Sequence, residues 1–452
     1  MAQAIAFLIK GAKMKVTFLG AGSTIFCKNV LGDVLLTPAL TNGLEIALYD
    51  IDNERLGESH TVVDAINKKY NGGKAIINTY CGEENRKDAL KDANFVVNAI
   101  QVGGYEPCTV IDFEVPKKYG LKQTIGDTLG IGGIFRGLRT IKVLKGVARD
   151  IEEVCPDALF LNYTNPMAIV TGYMQKYTRV KTIGLCHSVQ VCTQSLLYSL
   201  NLLDKVEVGS ELIAGINHMG WLLDLRDKNG KDLYPEIRRL AKERNKEKHD
   251  NMVRLDYIDK FGYYCTESSE HNAEYNPYYI KSNYPELIEK FNIPIDEYPR
   301  RCVNQIADWK KQKESLMNGG DIEHFRSHEY ASRIMEAIVT DTPYKIGGNV
   351  LNEGLIDNLP YDACVEVPCL IDGHGIHPTK VGKLPPQLAA LNTTNINTQI
   401  LAIEAAKTCN REHIYHAAMF DPHTSAELSL DDIIAMCDDL IAEHEKAGFP
   451  VF

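Results

Sequence analysis

Short apolar runs alternate with longer stretches of helical period through the first half of the chain. Val16–Leu19, Glu45–Tyr49, Ala75–Thr79, Phe95–Ala99, Leu159–Leu161 and Thr182–Leu185 read as strands, several of them apolar throughout as buried strands are. Between them, the segment from the first glycine turn to about Leu36, then Asn53–Lys69 and Gly137–Val154, carry helical patterning. Strands that alternate with helices in this way predict parallel pairing through right-handed crossovers, hence a doubly wound sheet.

After about residue 205 the alternation breaks. Leu212–Ile216 and Val365–Ile371 read as further strands, and 235–255 as a charged helical surface. Residues 263–300, rich in Tyr, Pro and Asn, read as ordered but irregular, and Ile400–Ala406 and Leu430–His444 as closing helices. There is no internal repeat and no low-complexity linker, so the second region is expected to pack directly on the first. The expected architecture is α/β: an N-terminal Rossmann-like doubly wound sheet over 14–205, with a second α+β domain over 206–452. This is the arrangement of lactate and malate dehydrogenases.

Composition narrows the function classes. The 452 residues exceed one average domain, and 44% hydrophobic with 24% charged residues is ordinary for a soluble globular protein. A net charge of −11 with no basic stripe argues against nucleic acid or an anionic membrane as partner. The run Ala4–Ile9 is too short to span a membrane and lacks a small-residue cleavage site. Residues 1–13 are expected to be an N-terminal extension. The twelve cysteines have no regular spacing, and with no secretory signal they read as free thiols in a reducing, cytoplasmic setting. Cys364 and Cys369 read as buried structural residues.

Candidate chemistry sits where strands end. Gly20-Ala-Gly22-Ser23-Thr24 lies between a strand and a helix, where glycines allow a tight turn and a close approach of pyrophosphate to the helix N-terminus. The third glycine of the usual fingerprint is replaced by Ile25. Asp50, ending the second strand, suits the ribose hydroxyls of NAD and repels the 2′-phosphate of NADP. Asn98–Gly104, including Gln101 and Gly103, is expected along the cofactor's other half. The competing reading is a flavodoxin-like sheet whose glycines only make turns.

Two further strands end at Cys186-His187-Ser188 and Asn217-His218. Thiolate and imidazole are good ligands for a divalent metal, and water and substrate oxygens would complete an open shell. On residue types alone a buried cysteine and a structural histidine are the plainer reading, because the separation matches no compact metal motif.

Ordered motifs add to this reading. Leu19-Gly-Ala-Gly-Ser-Thr, Val102-Gly-Gly-Tyr-Glu-Pro, Gly126-Asp-Thr-Leu-Gly-Ile-Gly-Gly, Asn162-Tyr-Thr-Asn-Pro, Leu185-Cys-His-Ser-Val, Ala214-Gly-Ile-Asn-His-Met, Thr266-Glu-Ser-Ser-Glu-His, Asn358-Leu-Pro and Val365-Glu-Val-Pro follow one another along the chain. From about Met14 to the C-terminus the chain resembles glycoside hydrolase family 4, and within it the branch acting on α-galactosides such as melibiose. The resemblance implies NAD used catalytically, and manganese or another divalent metal held by Cys186 and His218. It also implies a sugar substrate held by Asn165, with His187 and Asn217 beside it, and a homodimer or homotetramer. The implied route is oxidation at C3, elimination across C1–C2, addition of water and return of the hydride.

One departure stands out. Members acting on 6-phosphorylated sugars place Asp or Asn after the cysteine, whereas His187 stands here, which speaks against a phosphorylated substrate. His187 either donates a proton to the leaving group or orients Cys186. The base is sought among Asp127, Glu267, Glu270 and His271. The tyrosine proposed as base in phospho-sugar members matches none of Tyr263, Tyr264 and Tyr275 cleanly, and Tyr264 is the candidate carried forward. Three alternatives stay open: an α-glucosidase or α-galacturonidase of the same family, a net dehydrogenase, and a non-catalytic NAD sensor. A galacturonidase needs cations facing the sugar carboxylate, for which Arg136, Arg139, Arg300 and Arg301 are available.

Overall fold

The computed structural model describes residues 13–317 and 322–452, so the expected extension lies outside the described residues apart from Lys13. Six strands form the first half: β1 (Met14–Leu19), β2 (Leu44–Asp50), β3 (Ile76–Cys81), β4 (Phe95–Asn98), β5 (Leu159–Asn162) and β6 (Lys181–Gly184). They pair in parallel in the order β3-β2-β1-β4-β5-β6. That is the strand order of dinucleotide-binding sheets, with its switch point between β1 and β4. Every residue of β1, β4 and β5 is buried, and β4 and β5 are accordingly apolar on successive positions instead of alternating.

The crossovers are α1 (Thr24–Leu35), α2 (Asn53–Asn71), α3 (Arg86–Leu90), α4 (Val110–Lys118), α5 (Gly130–Val154) and α6 (Met167–Tyr177). Local chemistry sets their ends. Asp52 caps α2 by accepting from the N–H groups of Glu54 and Arg55, and Gly72 closes it in the left-handed conformation.

The second half extends the same sheet. It contains α7 (His187–Ser199), β7 (Val208–Ile216), β8 (Met219–Asp227), α8 (Tyr234–Arg244), α9 (Met252–Phe261), β9 (Tyr264–Cys265), α10 (Ser269–Glu274), α11 (Glu286–Lys290), α12 (Glu297–Met317) and α13 (Ala331–Thr340). Then come β10 (Tyr344–Leu351), β11 (Cys364–Asp372), β12 (Gly375–Pro378), α14 (Pro386–Thr408), α15 (Arg411–Phe420), α16 (Pro422–Glu427) and α17 (Leu430–Lys446). β10 joins β6 through Asn349 and Gly184, runs antiparallel to β11, and β11 meets β7 through Glu366 and Gly215. The result is one twelve-stranded sheet in which β11 and β10 stand between β7 and the parallel half.

Several expectations need correction. The charged stretch 235–255 is two helices, α8 and α9. Between them, Asn245 donates to the Met252 carbonyl, and His249 accepts from the Asn251 N–H. Residues 263–300 are not wholly irregular, since they hold β9, α10, α11 and the start of α12. α5 begins seven residues before the expected Gly137, at Gly130. Ile400–Ala406 is only the last part of α14, whose earlier turns bury Asn392 and Asn395. All twelve cysteines are free, and Cys364 and Cys369 are buried as expected. Among the described residues, no helix is long and apolar enough to cross a membrane.

Candidate active site

The turn after β1 is built for close approach. Gly20 has φ +86°, and a Cβ there would stand 2.7 Å from the Ala99 carbonyl oxygen, so no larger residue fits. The Gly22 N–H donates to Asp50 Oδ2 at 2.6 Å, which brings the β2 carboxylate to the glycine turn. Ser23 caps α1 without a side-chain hydrogen bond, so the first N–H groups of the helix are not taken by a capping side chain. Gln101 is exposed at the end of β4, and Gly103 has φ +80°. These features fit a dinucleotide along the turn and the β4 loop. Thr24 does not face it: its hydroxyl bonds Ser59 of α2 at 2.9 Å and is buried.

Cys186 and His218 come together, with a third donor. Sγ of Cys186, a ring nitrogen of His218 and a carboxylate oxygen of Glu267 all lie within 4.8 Å of one another. Cys186 is the N-cap of α7, and its backbone is clamped by Tyr330: its N–H donates to the Tyr330 hydroxyl at 2.9 Å, and that hydroxyl donates to its carbonyl at 3.0 Å. His218 is the second residue of the two-residue turn between β7 and β8, where Ile216 pairs with Met219. Its φ is +64°, and so is that of Glu267. Glu267 follows β9, which is tied to β8 where the Thr266 N–H donates to the Gly220 carbonyl at 2.7 Å.

The electrostatics suit a cation. Burial pushes His218 down to about 4, so its imidazole is neutral at neutral pH. Nδ1 of His218 is engaged by the Tyr275 hydroxyl at 2.9 Å, and Nε2 lies 3.3 Å from Glu267. Burial opposes ionisation of Glu267, yet His218, His271 and His187 together bring it down to about 2. Burial raises the Cys186 thiol far above its ordinary value, with Glu267 and Glu366 adding to the effect. A thiol in such a place ionises against a bound cation. Neutral imidazole, carboxylate and a thiol awaiting a counter-charge fit a divalent metal.

Next to this trio stands a cluster of hydrogen-bonded polar side chains. Asp127 Oδ2 accepts from Asn165 at 3.2 Å, and Oδ1 from Thr128 at 2.7 Å. Burial raises Asp127, but Arg136, His271 and His218 outweigh it and keep the carboxyl below its usual range. Arg136 donates to the Asn165 carbonyl at 3.2 Å and to the Tyr298 hydroxyl at 3.1 Å. The loop leading to Asp127 is anchored by Glu274, whose carboxylate accepts the N–H groups of Thr124, Ile125 and Gly126 at 2.7, 3.2 and 2.8 Å. His187, at the start of α7, is largely exposed and lies 4.0 Å from Glu329.

Three expected site residues are placed otherwise. Tyr264 is fully buried, hydrogen-bonded with Asn251 at 2.9 Å and covered by the Arg254 guanidinium, so it cannot act as a base. The tyrosine that touches the ligand trio is Tyr275. Glu270 is paired with Arg301. Asn217 is fully buried, and neither atom of its side-chain amide has a hydrogen-bond partner among the described residues. Glu267 as third donor and Glu274 as anchor were not foreseen, although both lie in or just after the Thr266-Glu-Ser-Ser-Glu-His segment.

Comparison with known proteins agrees with this geometry. Residues 15–202 match the model of family 4 glycosyl hydrolases, and residues 213–424 that of their C-terminal domain. An α-galactosidase of Bacillus subtilis (strain 168) is 62% identical over 431 residues, covering 95% of this chain and 98% of that protein. An α-galactosidase of Rhizobium meliloti (strain 1021) is 32% identical, covering 96% and 89%. Among solved structures, a 6-phospho-α-glucosidase from gut microorganisms in complex with NAD and Mn2+ superposes with a TM-score of 0.78 at 22% identity, over 96% of this chain and 98% of that one. The 6-phospho-β-glucosidase of Thermotoga maritima with manganese, NAD+ and glucose-6-phosphate gives 0.75 at 20% identity, over 96% and 99%.

Proposed function

We propose that this chain, which belongs to glycoside hydrolase family 4, is an α-galactosidase that uses NAD and a divalent metal to cleave neutral α-galactosides. The observation that carries the reading is the meeting of Cys186, His218 and Glu267 beside Asp127 and Asn165, with the glycine turn at the carboxyl end of the same sheet. Identity of 62% to an α-galactosidase over nearly the full chain supports the same activity. The 14–205 half supplies the dinucleotide turn, and the 206–452 half supplies His218 and Glu267.

Charge argues for a neutral sugar. The pocket already holds two ionised carboxylates, Asp127 and Glu267. The arginines that a uronate or phosphate would need are committed. Arg139 pairs with Asp112, Arg300 with Glu297, and Arg301 with Glu297 and Glu270. Arg136 is bound to Tyr298 and Asn165 and faces Asp127.

When bound, NAD supplies a hydride acceptor for C3 of the sugar, and the cation supplies Lewis acidity that makes the C2 proton removable. Cys186, His218 and Glu267 would hold the cation. Asn165 and Asp127 hold ring hydroxyls, fixed in turn by Arg136 and Glu274. With Glu267 committed to the metal, Asp127 is the carboxylate left to take the C2 proton. His187, exposed at the helix start, is the residue assigned to protonate the leaving oxygen. Such a cysteine ligand needs a reducing compartment, which supports a cytoplasmic enzyme. A homo-oligomer is expected from light scattering of the purified protein.

The reading is tested with p-nitrophenyl α-galactoside, NAD, Mn2+ and a thiol reductant, each omitted in turn. Hydrolysis should require all of the added components, with no net NADH formed. Stoichiometric NADH would instead identify a dehydrogenase. In heavy water, the released galactose should carry deuterium at C2, and its absence would refute the elimination route.

A further inference from the structure

The C-terminal segment lies beyond residue 424, where the match to the family model ends. It nevertheless reaches the cofactor cleft by two routes. The first is a buried relay. His444 of α17 bonds Asp112 Oδ1 of α4 at 2.9 Å, and Asp112 takes two hydrogen bonds from Arg139 of α5, at 3.1 and 2.6 Å. Arg139 Nε then donates to the Val102 carbonyl at 3.1 Å. All three side chains are at least 97% buried, and the His444 ring stacks on Phe135.

The second route is direct. After α17 the chain turns back, with the Phe449 N–H donating to the His444 carbonyl at 2.8 Å. Phe449 then lies against Gly103, close enough that a Cβ on that glycine would be 3.6 Å from its ring. The tail is pinned by Lys142, which donates to the carbonyls of Pro450 and Phe452, and by Val451, which is buried in the helical core.

Val102 and Gly103 belong to the loop Gln101–Gly104, which lines the nicotinamide half of the cleft in the proposed reading. We infer that His444–Phe452 is a positioning element for this loop, setting NAD affinity from outside the site. The loop is short and glycine-rich, so its own backbone does not fix its shape. A buried bidentate Arg–Asp pair behind one residue and an aromatic ring against the next hold it in one arrangement. The inference rests on the reading of Gln101–Gly104 as a cofactor loop.

The test uses full-length protein and three variants: F449A, a truncation after Ala447, and H444A. F449Y and H444Q serve as conservative rescues. NAD affinity is measured by calorimetric titration, Mn2+ affinity by electron paramagnetic resonance, and folding by thermal unfolding. The expected result is an NAD Kd raised about 3- to 30-fold at a temperature where the variants are folded. Mn2+ affinity stays as in the parent, and affinity for NAD returns in F449Y and H444Q. Unchanged NAD affinity in folded F449A and in the truncation overturns the proposal, even where the melting point falls. Joint loss of NAD and Mn2+ affinity also overturns it, because the defect is then general. Failure of the parent itself to bind NAD overturns the cofactor reading along with it.

Discussion

Replacing Tyr275 by phenylalanine tests how the metal site is organised. Tyr275 is fully buried, its hydroxyl is 2.9 Å from His218 Nδ1, and its ring stacks on the imidazole at 6.2 Å and 21°. A metal on Nε2 requires the proton on Nδ1, and the Tyr275 hydroxyl is the acceptor that favours this tautomer. Phenylalanine keeps the volume and the stacking, but leaves a buried Nδ1–H without a partner. An unsatisfied buried donor costs about 1–3 kcal/mol. The metal-free protein avoids part of this by switching tautomer, so much of the cost appears as lost affinity. Y275F is therefore expected to weaken Mn2+ binding about 10- to 100-fold, equivalent to about 1.4–2.7 kcal/mol. The free-Mn2+ resonance signal gives the affinity directly, and NAD affinity should stay unchanged as a control. A Y275F protein that binds Mn2+ within twofold of the parent would refute the idea that Tyr275 sets the tautomer.

Three other outcomes are expected. Asp50→Ser should raise the NAD Kd about tenfold or more by losing the ribose acceptor that now reaches Gly22, whereas Mn2+ affinity should hold. Cys186→Ser should abolish Mn2+ binding and hydrolysis, and peroxide without reductant should inactivate the parent protein, since an oxidised sulfur cannot act as a thiolate ligand; full activity after peroxide would contradict this. Burial raises Glu366 to about 8, against the partial relief given by Asn349 and Asn217. Its folded value exceeds the unfolded one, so its contribution is fully present below about pH 4.5 and is lost as pH rises through 8, on the order of 5 kcal/mol in all. Glu366→Gln should flatten the urea-unfolding midpoint between pH 5 and 9, and an unchanged slope would rule the assignment out.

The parallel half was legible chiefly through its central strands, which are buried on both faces. Runs such as Phe95–Val97 and Leu159–Leu161 carry no polar alternation to confuse with an exposed strand. β10 escaped because Gly347 and Gly348 interrupt its apolar run, and these glycines fit tightly against Val189, Ile183 and Cys369 in the folded sheet. α14 was cut short because its buried face includes Asn392, Asn395 and Gln399, which read as surface residues in one dimension. In the site, ligand type and strand end singled out Cys186 and His218 as candidates, and the ordered motifs around them made them the metal pair. Choosing between Tyr264 and Tyr275 could not be done that way: both are fully buried, and only the pairing of β9 with β8 turns one away from the ligands.

The same pairing explains how the site is held. His218 and Glu267 both take the left-handed backbone conformation, at a cost of about 1–3 kcal/mol each. Neither is a glycine, because each must carry a side chain toward the metal. Each is forced into place by a strand register: Ile216 opposite Met219 in one case, Gly220 bonded to Thr266 in the other. Cys186 stands at the end of β6, and between β6 and β7 the sheet inserts β10 and β11, which come from far along the chain. The thiol and the imidazole are therefore at their working separation only when this long-range pairing has formed. Glu366 and Asn349, hydrogen-bonded at 3.1 Å across β10 and β11, sit at that junction. The metal site is in this sense a readout of the completed sheet, and chelation should lower the stability of both halves together and not of one alone.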